Sequence, residues 1–234
     1  MVPHARVIET ELTGCLSDDN RHRLERVLRL REGDSFVVTD GLGHETTALL
    51  GKSGNYHAPA WETPGREPEV ETTLFAAISK GERLEWLIEK AVEMGVARIV
   101  PLIAERCVVK NPGAGKVERW RKVAATAMLQ CGGCVLPEIS DPVKLTQLAK
   151  PGGDTLPLLL HEESLSVSLH ALPQNRDHKK IWLASGPEGG FSDAEVDFFT
   201  NSGWQAVWLG KRLFKTDTAP TIALANLLAR SWGA

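Results

Sequence analysis

The sequence predicts an α/β protein: a mainly parallel sheet with helices on both faces, preceded by a small β-rich module. From Thr72 onward, apolar strand-like runs alternate with segments of helical periodicity, which is the pattern of a parallel sheet. Residues 1–68 instead combine short strands and turns with little helical rhythm, which favours a small barrel. Prolines and glycines between Pro59 and Pro68 separate the two patterns. We therefore expect domains at residues 1–68 and 69–234.

In the first domain, a short helix is expected to begin in the polar run at residues 17–19. Its apolar face would carry Leu24, Val27 and Leu28. Later in the domain, two strand-like runs enclose turn-forming residues, which predicts a β-hairpin. The two predicted hairpin strands are residues 35–38 and 45–50.

In the second domain, each helix is expected to return the chain to the start of another parallel strand. Apolar runs predict the strands, and apolar residues recurring every three or four positions predict the helices. The strands are expected at 73–78, 98–103, 156–160, 181–184 and 206–209, and the helices over 84–92 and 117–127, with two more opening at Ser192 and near Thr218.

Two turns that follow predicted strands have the composition of ligand-binding loops. In residues 186–190, the first elbow, Gly186, Gly189 and Gly190 remove three side chains, so a ligand can approach the backbone. Residues 209–218, the second elbow, begin near Gly210 and mix apolar with polar groups. Elbows at the carboxyl ends of neighbouring parallel strands lie at one edge of the sheet, so they predict one small-molecule cleft.

Composition excludes several classes of protein. A net charge of -3 over 234 residues argues against a generally polycationic nucleic-acid binder. No apolar run approaches the roughly 18 residues of a membrane span, so no membrane partner is expected. Four cysteines do not make a disulfide framework, and a reducing cytoplasm is the expected compartment. The seven histidines show no metal-ligand spacing, so we expect no catalytic metal.

Cys131 and Cys134 form a C-x-x-C pattern, which is compatible with a redox pair or half a zinc site. The pattern follows a helix instead of opening one, and no second pair accompanies it. A structural role is therefore favoured.

Basic residues cluster in two segments despite the acidic balance of the chain. Residues 106–122 carry six cations against Glu118, and a single cluster of this kind is typical of a solvated helix face. Two clusters in one chain favour a surface that contacts a nucleic-acid phosphate backbone. The other cluster, opposed only by Glu25, consists of Arg21, Arg23, Arg26, Arg29 and Arg31.

The elbows also carry a family resemblance. The segments GPEGGFSDAEV at 186–196 and LGKRLFKTDTAPTIAL at 209–224 resemble the signature of RsmE-type methyltransferases, in the SPOUT superfamily. His22 with Val27-Leu28-Arg29 is similar to an amino-terminal pattern of the same family, and Gln130-Cys131-Gly132 to a later block. The resemblance covers nearly the whole chain.

The resemblance implies an S-adenosylmethionine-dependent enzyme that methylates N3 of a uridine in small-subunit (16S) ribosomal RNA. It further implies a trefoil knot in the last third of the chain, a PUA-like RNA-binding barrel at the amino terminus, and a homodimer. Its macromolecular partner would be ribosomal RNA or the small ribosomal subunit. The implied donor-binding residues are Leu160, His161, Gly186, Pro187, Glu188, Gly189, Gly190, Leu209, Gly210, Leu213, Phe214, Thr216, Thr218 and Ala219. The expected RNA contacts are Arg21, Arg23, Arg26, Arg29, Arg106 and Arg212.

Uracil N3 carries a proton, so its methylation requires proton removal or stabilisation of an anionic base. A cation near O2 or O4 and a carboxylate near N3–H would serve. The candidate cations are Arg106, Arg212 and Lys215, and the candidate proton acceptors are Asp217 and Glu188. An equal alternative for Glu188 is that it braces its own loop.

The chain departs from the family pattern at five positions. Phe214, Lys215 and Asp217 replace Leu, Arg and Glu, while Leu129 and Gly133 stand where the family has a carboxylate and a guanidinium. These departures leave two alternatives open. One is a SPOUT methyltransferase acting on another RNA or base, and the other is a catalytically weak donor- and RNA-binding assembly protein. The intact glycines of both elbows favour an enzyme.

Overall fold

The structure is a computed structural model that describes residues 5–162, 167–172 and 178–229. The chain divides into two compact units. The first unit comprises Met1–Glu67 and Ala125–Leu136, and the second comprises Pro68–Ala124 and Pro137–Ala234. The first unit therefore includes a segment from the middle of the chain.

The first unit contains a four-stranded sheet. Its strands, in spatial order, are β1 (Arg6–Ile8), β2 (Ser35–Thr39), β3 (Glu45–Leu50) and β4 (Tyr56–His57). β1 pairs with β2 in parallel, whereas β2, β3 and β4 pair antiparallel. The expected hairpin is thus confirmed as β2 and β3. Helix α1 (Asp18–His22) continues directly into a π-helical turn over Arg23–Val27, and a 3-10 turn covers Lys52–Gly54.

The expected apolar face of the first helix is wrong at two of its three positions. Leu24 is fully buried, but Val27 is 63% exposed and Leu28 is 39% exposed. The cause is the π-helical turn, in which the backbone N–H of Leu28 donates to the carbonyl of Arg23, five residues back. The wider turn rotates the residues after Leu24 away from the face that an α-helix would present.

The second unit is built on a parallel sheet. Its strands are β5 (Glu71–Ala77), β6 (Arg98–Ile103), β7 (Glu138–Ile139), β8 (Val143–Lys144), β9 (Thr155–Leu160), β10 (Val167–Ser168), β11 (Lys180–Ser185) and β12 (Gln205–Trp208). Their spatial order is β10-β12-β9-β11-β5-β6-β7, with β8 also pairing with β6. Each pairing among these described strands is parallel. The α/β class with a mainly parallel sheet is therefore confirmed.

Four longer helices occur in the described part of the chain. They are α2 (Arg83–Glu93), α3 (Ala114–Cys131), α4 (Asp193–Asn201) and α5 (Thr218–Leu228), and 3-10 turns cover Leu145–Gln147 and Leu169–Ala171. Each of the four overlaps a helix expected from the sequence. No described helix combines the length and the apolar character needed to cross a membrane.

The centre of the sheet explains why its strands read as continuous apolar runs. Leu183 of β11 pairs with Leu158 on one side and Leu74 on the other, and all three side chains are fully buried. Strands covered on both faces have no solvent side on which to place polar residues.

An aromatic cluster lies beneath the first elbow. Phe191, which follows that elbow, is buried, and its ring centroid lies 5.1 Å from that of Phe199. Phe199 lies 5.0 Å from Trp204, which in turn contacts Phe75 at 5.4 Å. Large rings packed in this way anchor the end of the elbow in the core.

Candidate functional site

A cleft opens at the carboxyl ends of β9, β11 and β12, which are neighbours in the sheet. Its volume is about 410 Å³, within the size range of small-molecule sites. Residues of both elbows line it, so the structure brings the two turns together as the sequence led us to expect. The strand order puts β9 between β11 and β12, which is why the end of β9 contributes to the floor.

Thirteen of the fourteen expected donor-binding residues line this cleft, and Thr218 is the exception. Sequence reasoning missed several lining residues that lie at strand ends or flank the elbows. Their sequence signal is only their position, next to residues that were recognised. They are Glu162, Ser185, Phe191, Asp193, Val207 and Trp208.

Two glycines in the elbows meet requirements that another residue would not. A Cβ atom on Gly186 would lie 3.2 Å from the ring of Phe191, closer than an ordinary contact. Gly210 has a φ of 132°, a backbone conformation that L-residues rarely adopt. The elbow conformations therefore depend on glycine.

Thr216 provides a buried hydroxyl group at the cleft. It lines the cleft, and its Oγ1 atom is buried without a hydrogen-bond partner among the described residues. A buried hydroxyl left unpaired costs about 1–3 kcal/mol. A ligand that bonds to Thr216 would remove this cost, so the cleft fits a ligand with polar groups.

Glu188 is engaged in holding its own loop. Its Oε1 atom accepts a hydrogen bond from the backbone N–H of Lys80 at 3.1 Å and from Nη1 of Arg83 at 3.3 Å. These contacts favour the bracing alternative over the role of proton acceptor.

Three expected cations, Arg106, Arg212 and Lys215, meet at the cleft. Asp217 does not line it. Asp217 is the N-cap residue of α5, and its Oδ1 accepts a hydrogen bond from the Thr218 hydroxyl at 3.1 Å. The role of Asp217 as a proton acceptor stays a prediction.

Comparison with known proteins identifies the family to which this chain belongs. A family model described as an RNA methyltransferase domain matches residues 66–228. The Ribosomal RNA small subunit methyltransferase E of Synechocystis sp. is 36% identical over 234 residues, covering 98% of this chain and 76% of the relative. The chain belongs to the RsmE family of RNA methyltransferases.

Solved structures agree with the RsmE assignment. A protein of Legionella pneumophila in complex with the bound cofactor SAM matches with a TM-score of 0.88 and 32% identity, covering 98% of both chains. A Ribosomal RNA small subunit methyltransferase E from Neisseria gonorrhoeae bound to S-adenosyl methionine matches with a TM-score of 0.84 and 28% identity. That match covers 95% of this chain and 96% of the other.

Two departures from the RsmE pattern lie in the first unit and do not line the cleft. Leu129 is a buried core residue. The Gly133 carbonyl accepts a hydrogen bond from Nη2 of Arg6 at 3.1 Å, and the neighbouring Gly132 carbonyl accepts one from Nε of Arg66 at 2.7 Å. The loss of the usual carboxylate and guanidinium at these positions therefore leaves the composition of the cleft unchanged.

The four arginines expected to contact RNA in residues 21–29 also belong to the first unit. Arg21, Arg26 and Arg29 are exposed, whereas Arg23 is half-buried. Arg29 has a φ of 60°, which is uncommon for a residue other than glycine. Their contact with RNA stays a prediction.

The environment of Cys134 argues against redox or metal chemistry at the C-x-x-C pair. Burial and a hydrogen bond to Glu67, with Sγ 3.3 Å from Oε1, raise the pKa of the Cys134 thiol to about 12. Thiolates, not thiols, are the nucleophiles and metal ligands. Among the described residues, no group of three or more His, Cys, Asp or Glu side chains could hold a metal ion.

We expect Cys134 to resist alkylation in the native protein at pH 8, because its thiol is buried and protonated. Cys15 and Cys131 are exposed and should react with iodoacetamide within minutes to hours. Peptide mass spectrometry after a timed reaction measures each site separately, and denatured protein provides the control in which all cysteines react. Native-state labelling of Cys134 at the rate of Cys131 would contradict this assignment.

Proposed function

We propose that this protein uses S-adenosylmethionine to methylate N3 of a uridine in 16S ribosomal RNA of the small subunit. The observation that carries the proposal is the cleft formed by two glycine-dependent elbows at the ends of β9, β11 and β12. Membership of the RsmE family and two similar proteins solved with the same methyl donor support it.

The cleft residues fit the donor. The elbow glycines allow close approach to the backbone, and the apolar side chains of Leu209 and Leu213 suit an adenine ring. The Thr216 hydroxyl, which has no hydrogen-bond partner in the described part of the chain, can bond to a polar group of the donor. S-Adenosylmethionine supplies an electrophilic methyl group carried on a sulfonium centre.

The acceptor must become nucleophilic at a nitrogen that carries a proton at neutral pH. Arg212 and Lys215 line the cleft and offer positive charge to an anionic uracil. A fixed positive charge near O2 or O4 stabilises the deprotonated ring and so lowers the cost of removing the N3 proton. Holding the ring in line with the methyl group then supplies much of the remaining rate.

The finer architecture of the proposal follows the family. Residues 69–234 would be a SPOUT domain with a trefoil knot and helices on both faces. β9 lies between β11 and β12 although it precedes both in sequence, so the connection from β11 to β12 passes β9. Residues 1–68 would form a PUA-like domain that uses Arg21, Arg23, Arg26 and Arg29 to contact RNA phosphates. The active form would be a cytoplasmic homodimer.

The Thr216→Val substitution tests the donor site. Valine has nearly the same shape but no hydroxyl, so donor affinity should fall about tenfold through loss of one hydrogen bond. The unfolding free energy of the donor-free protein should stay equal or rise by about 1 kcal/mol, since an unpaired buried hydroxyl is removed. Titration calorimetry and denaturant unfolding measure the two quantities.

Thr200→Val is the matched control, because the Thr200 hydroxyl donates to the Val196 carbonyl at 3.0 Å on the exposed side of α4. This variant should bind the donor normally. Unchanged donor affinity in Thr216→Val would remove Thr216 from the donor site.

A further inference from the structure

We propose that the turn after β6, residues 104–110, is a bracket that holds the first elbow in its donor-binding shape. Arg106 is then a positioning residue that acts on donor binding through the elbow, instead of a cation that contacts uracil. The inference rests on the proposed function, since it takes the first elbow as part of the donor site.

Arg106 is bonded to the backbone of the elbow. Its Nη1 atom donates to the carbonyl of Gly189 at 2.8 Å and lies 3.3 Å from the carbonyl of Phe191. A hydrogen bond from a charged donor is stronger than one between neutral groups. The guanidinium therefore holds the end of the elbow.

The stem of Arg106 also packs against Gly189. A Cβ atom at Gly189 would lie 3.4 Å from both Cβ and Cδ of Arg106, at the short end of ordinary van der Waals contact. The arginine stem therefore lies close against the backbone of the elbow. Sequence reasoning assigned all three elbow glycines to ligand approach, and the structure adds this contact with Arg106 at Gly189.

Glu195 forms a second link between bracket and elbow. One carboxylate oxygen, Oε2, accepts from the backbone N–H of Ser192 at 2.9 Å, at the start of α4. The other, Oε1, accepts from the backbone N–H of Glu105 at 2.7 Å. One carboxylate therefore joins the residues that follow the elbow to the residue that precedes Arg106.

The bracket is itself fixed to the end of β6. The buried Cys107 has its Sγ atom 3.4 Å from the backbone nitrogen of Ala104, which donates to it, and 3.7 Å from the carbonyl of Leu102. The Lys110 ammonium donates to the carbonyl of Ala104 at 3.2 Å and also to that of Glu105. These bonds tie both ends of the turn together, so movement of Arg106 requires breaking several contacts.

A loop that is ordered before the ligand arrives does not have to be ordered during binding. The entropy cost of fixing residues 186–192 is then met on folding, and the donor binds with higher affinity. Loss of the bracket should therefore appear mainly in donor affinity and in elbow mobility. Loss of a group that contacts uracil would instead appear in RNA affinity or in the rate of the chemical step.

The test compares Arg106→Ala, Arg106→Lys and Glu195→Gln with the unmodified full-length protein. Titration calorimetry measures the Kd for S-adenosylmethionine, hydrogen exchange of the donor-free protein measures protection of residues 186–192, and filter binding measures RNA affinity.

Arg106→Ala should raise the donor Kd about 10- to 100-fold, from loss of a charged hydrogen bond. Exchange in the elbow should become faster, and RNA affinity should stay within about twofold. Arg106→Lys should recover part of the donor affinity, because one ammonium can still donate to a carbonyl, and Glu195→Gln should show a smaller change of the same kind.

Arg121→Ala is the control, since the Arg121 guanidinium pairs with Asp141 at 2.9 Å and does not line the cleft. It should change neither the donor Kd nor the rate of hydrogen exchange in the elbow.

The proposal is overturned if Arg106→Ala leaves the donor Kd and elbow exchange unchanged while RNA affinity or kcat falls. If the unmodified protein does not bind S-adenosylmethionine at all, the proposed function fails. In that case, hydrogen exchange of residues 186–192 in Arg106→Ala still tests whether the bracket holds the elbow, because it is measured without donor or RNA.

Discussion

Replacing Gly210 with valine is expected to weaken donor binding about 10- to 100-fold, the affinity equivalent of roughly 1–3 kcal/mol of backbone strain. Gly210 has a φ of 132° in the second elbow, and a β-branched residue there must move the backbone to a different conformation. Because Gly210 lines the cleft, the displaced backbone is part of the donor site. The donor Kd of the variant, measured by titration calorimetry, checks this expectation.

Gly203→Val is the matched control. Gly203 also has a positive φ, of 87°, and precedes β12 at its amino end, whereas Gly210 follows β12 at its carboxyl end. Both substitutions strain the backbone and should lower the unfolding free energy by similar amounts, about 1–3 kcal/mol. Only Gly210→Val should change donor affinity beyond what the remaining folded fraction explains. Equal losses of affinity in the two variants would mean that the second elbow has no special place in donor binding.

Replacing Glu45 with alanine is expected to lower the unfolding free energy by about 3–5 kcal/mol, the usual cost of leaving a buried charge without its partner. The Glu45 carboxylate lies 2.6 Å from Nη2 of Arg6, whose side chain is 2% exposed, and it also pairs with Arg66. The Nε and Nη1 atoms of Arg6 already lack hydrogen-bond partners among the described residues. Within the described ranges, loss of the carboxylate therefore leaves the buried guanidinium with only the Gly133 carbonyl as a hydrogen-bond partner. Urea unfolding measures the difference.

The same pair predicts a dependence on pH. Burial by itself raises the pKa of Glu45, but hydrogen bonds from Arg66 and Arg6 outweigh it, and the pKa lies below its ordinary value. The contribution of the carboxylate to stability is therefore complete above the unfolded-state pKa and is lost as pH falls through the lowered folded-state pKa. The stability difference between the unmodified protein and Glu45→Gln should shrink over that acidic range.

Glu138→Ala serves as the comparison for Glu45→Ala. Glu138 pairs with Arg98 at 3.3 Å, but both side chains are about half exposed or more, at 61% and 49%. An exposed ion pair contributes about 0–1 kcal/mol. A loss in Glu45→Ala no larger than in Glu138→Ala would show that the buried pair is not what holds Arg6.

The longer strands and the helices of the second unit could be predicted from the sequence because each is strongly patterned. Residues 181–184 and 206–209 are apolar on both faces, which short-range patterning reveals, and the Ser192–Glu195 spacing marked the start of α4. The strands β7, β8 and β10 each contain two residues. Two residues carry no measurable periodicity, so no local reading could have found them.

The parts of the candidate site that depend on residue type could be predicted, and the parts that depend on contacts between residues distant in sequence could not. Glycines that follow strands predicted both elbows. The links from Arg106 to Gly189 and from Glu195 to Glu105 join residues 83 and 90 positions apart. The residue type identifies Arg106 as a cation, but the sequence could not show that its guanidinium donates to backbone carbonyls. In the first unit, the π-helical turn altered the face that spacing had assigned to Val27 and Leu28 for a similar reason: hydrogen-bond register is not visible in residue type.

The central claim is methyl transfer to N3 of a uridine, and one assay tests it most directly. The protein is incubated with labelled S-adenosylmethionine and small ribosomal subunits that lack this methylation, and the labelled nucleosides are mapped by mass spectrometry. We expect N3-methyluridine at a single site, with Gly210→Val as the variant that loses it. Label in a different nucleoside would contradict the assigned specificity and indicate another RNA base as the target. Donor binding without any labelled nucleoside would contradict the assignment of methyltransferase activity and would favour a donor- and RNA-binding assembly protein.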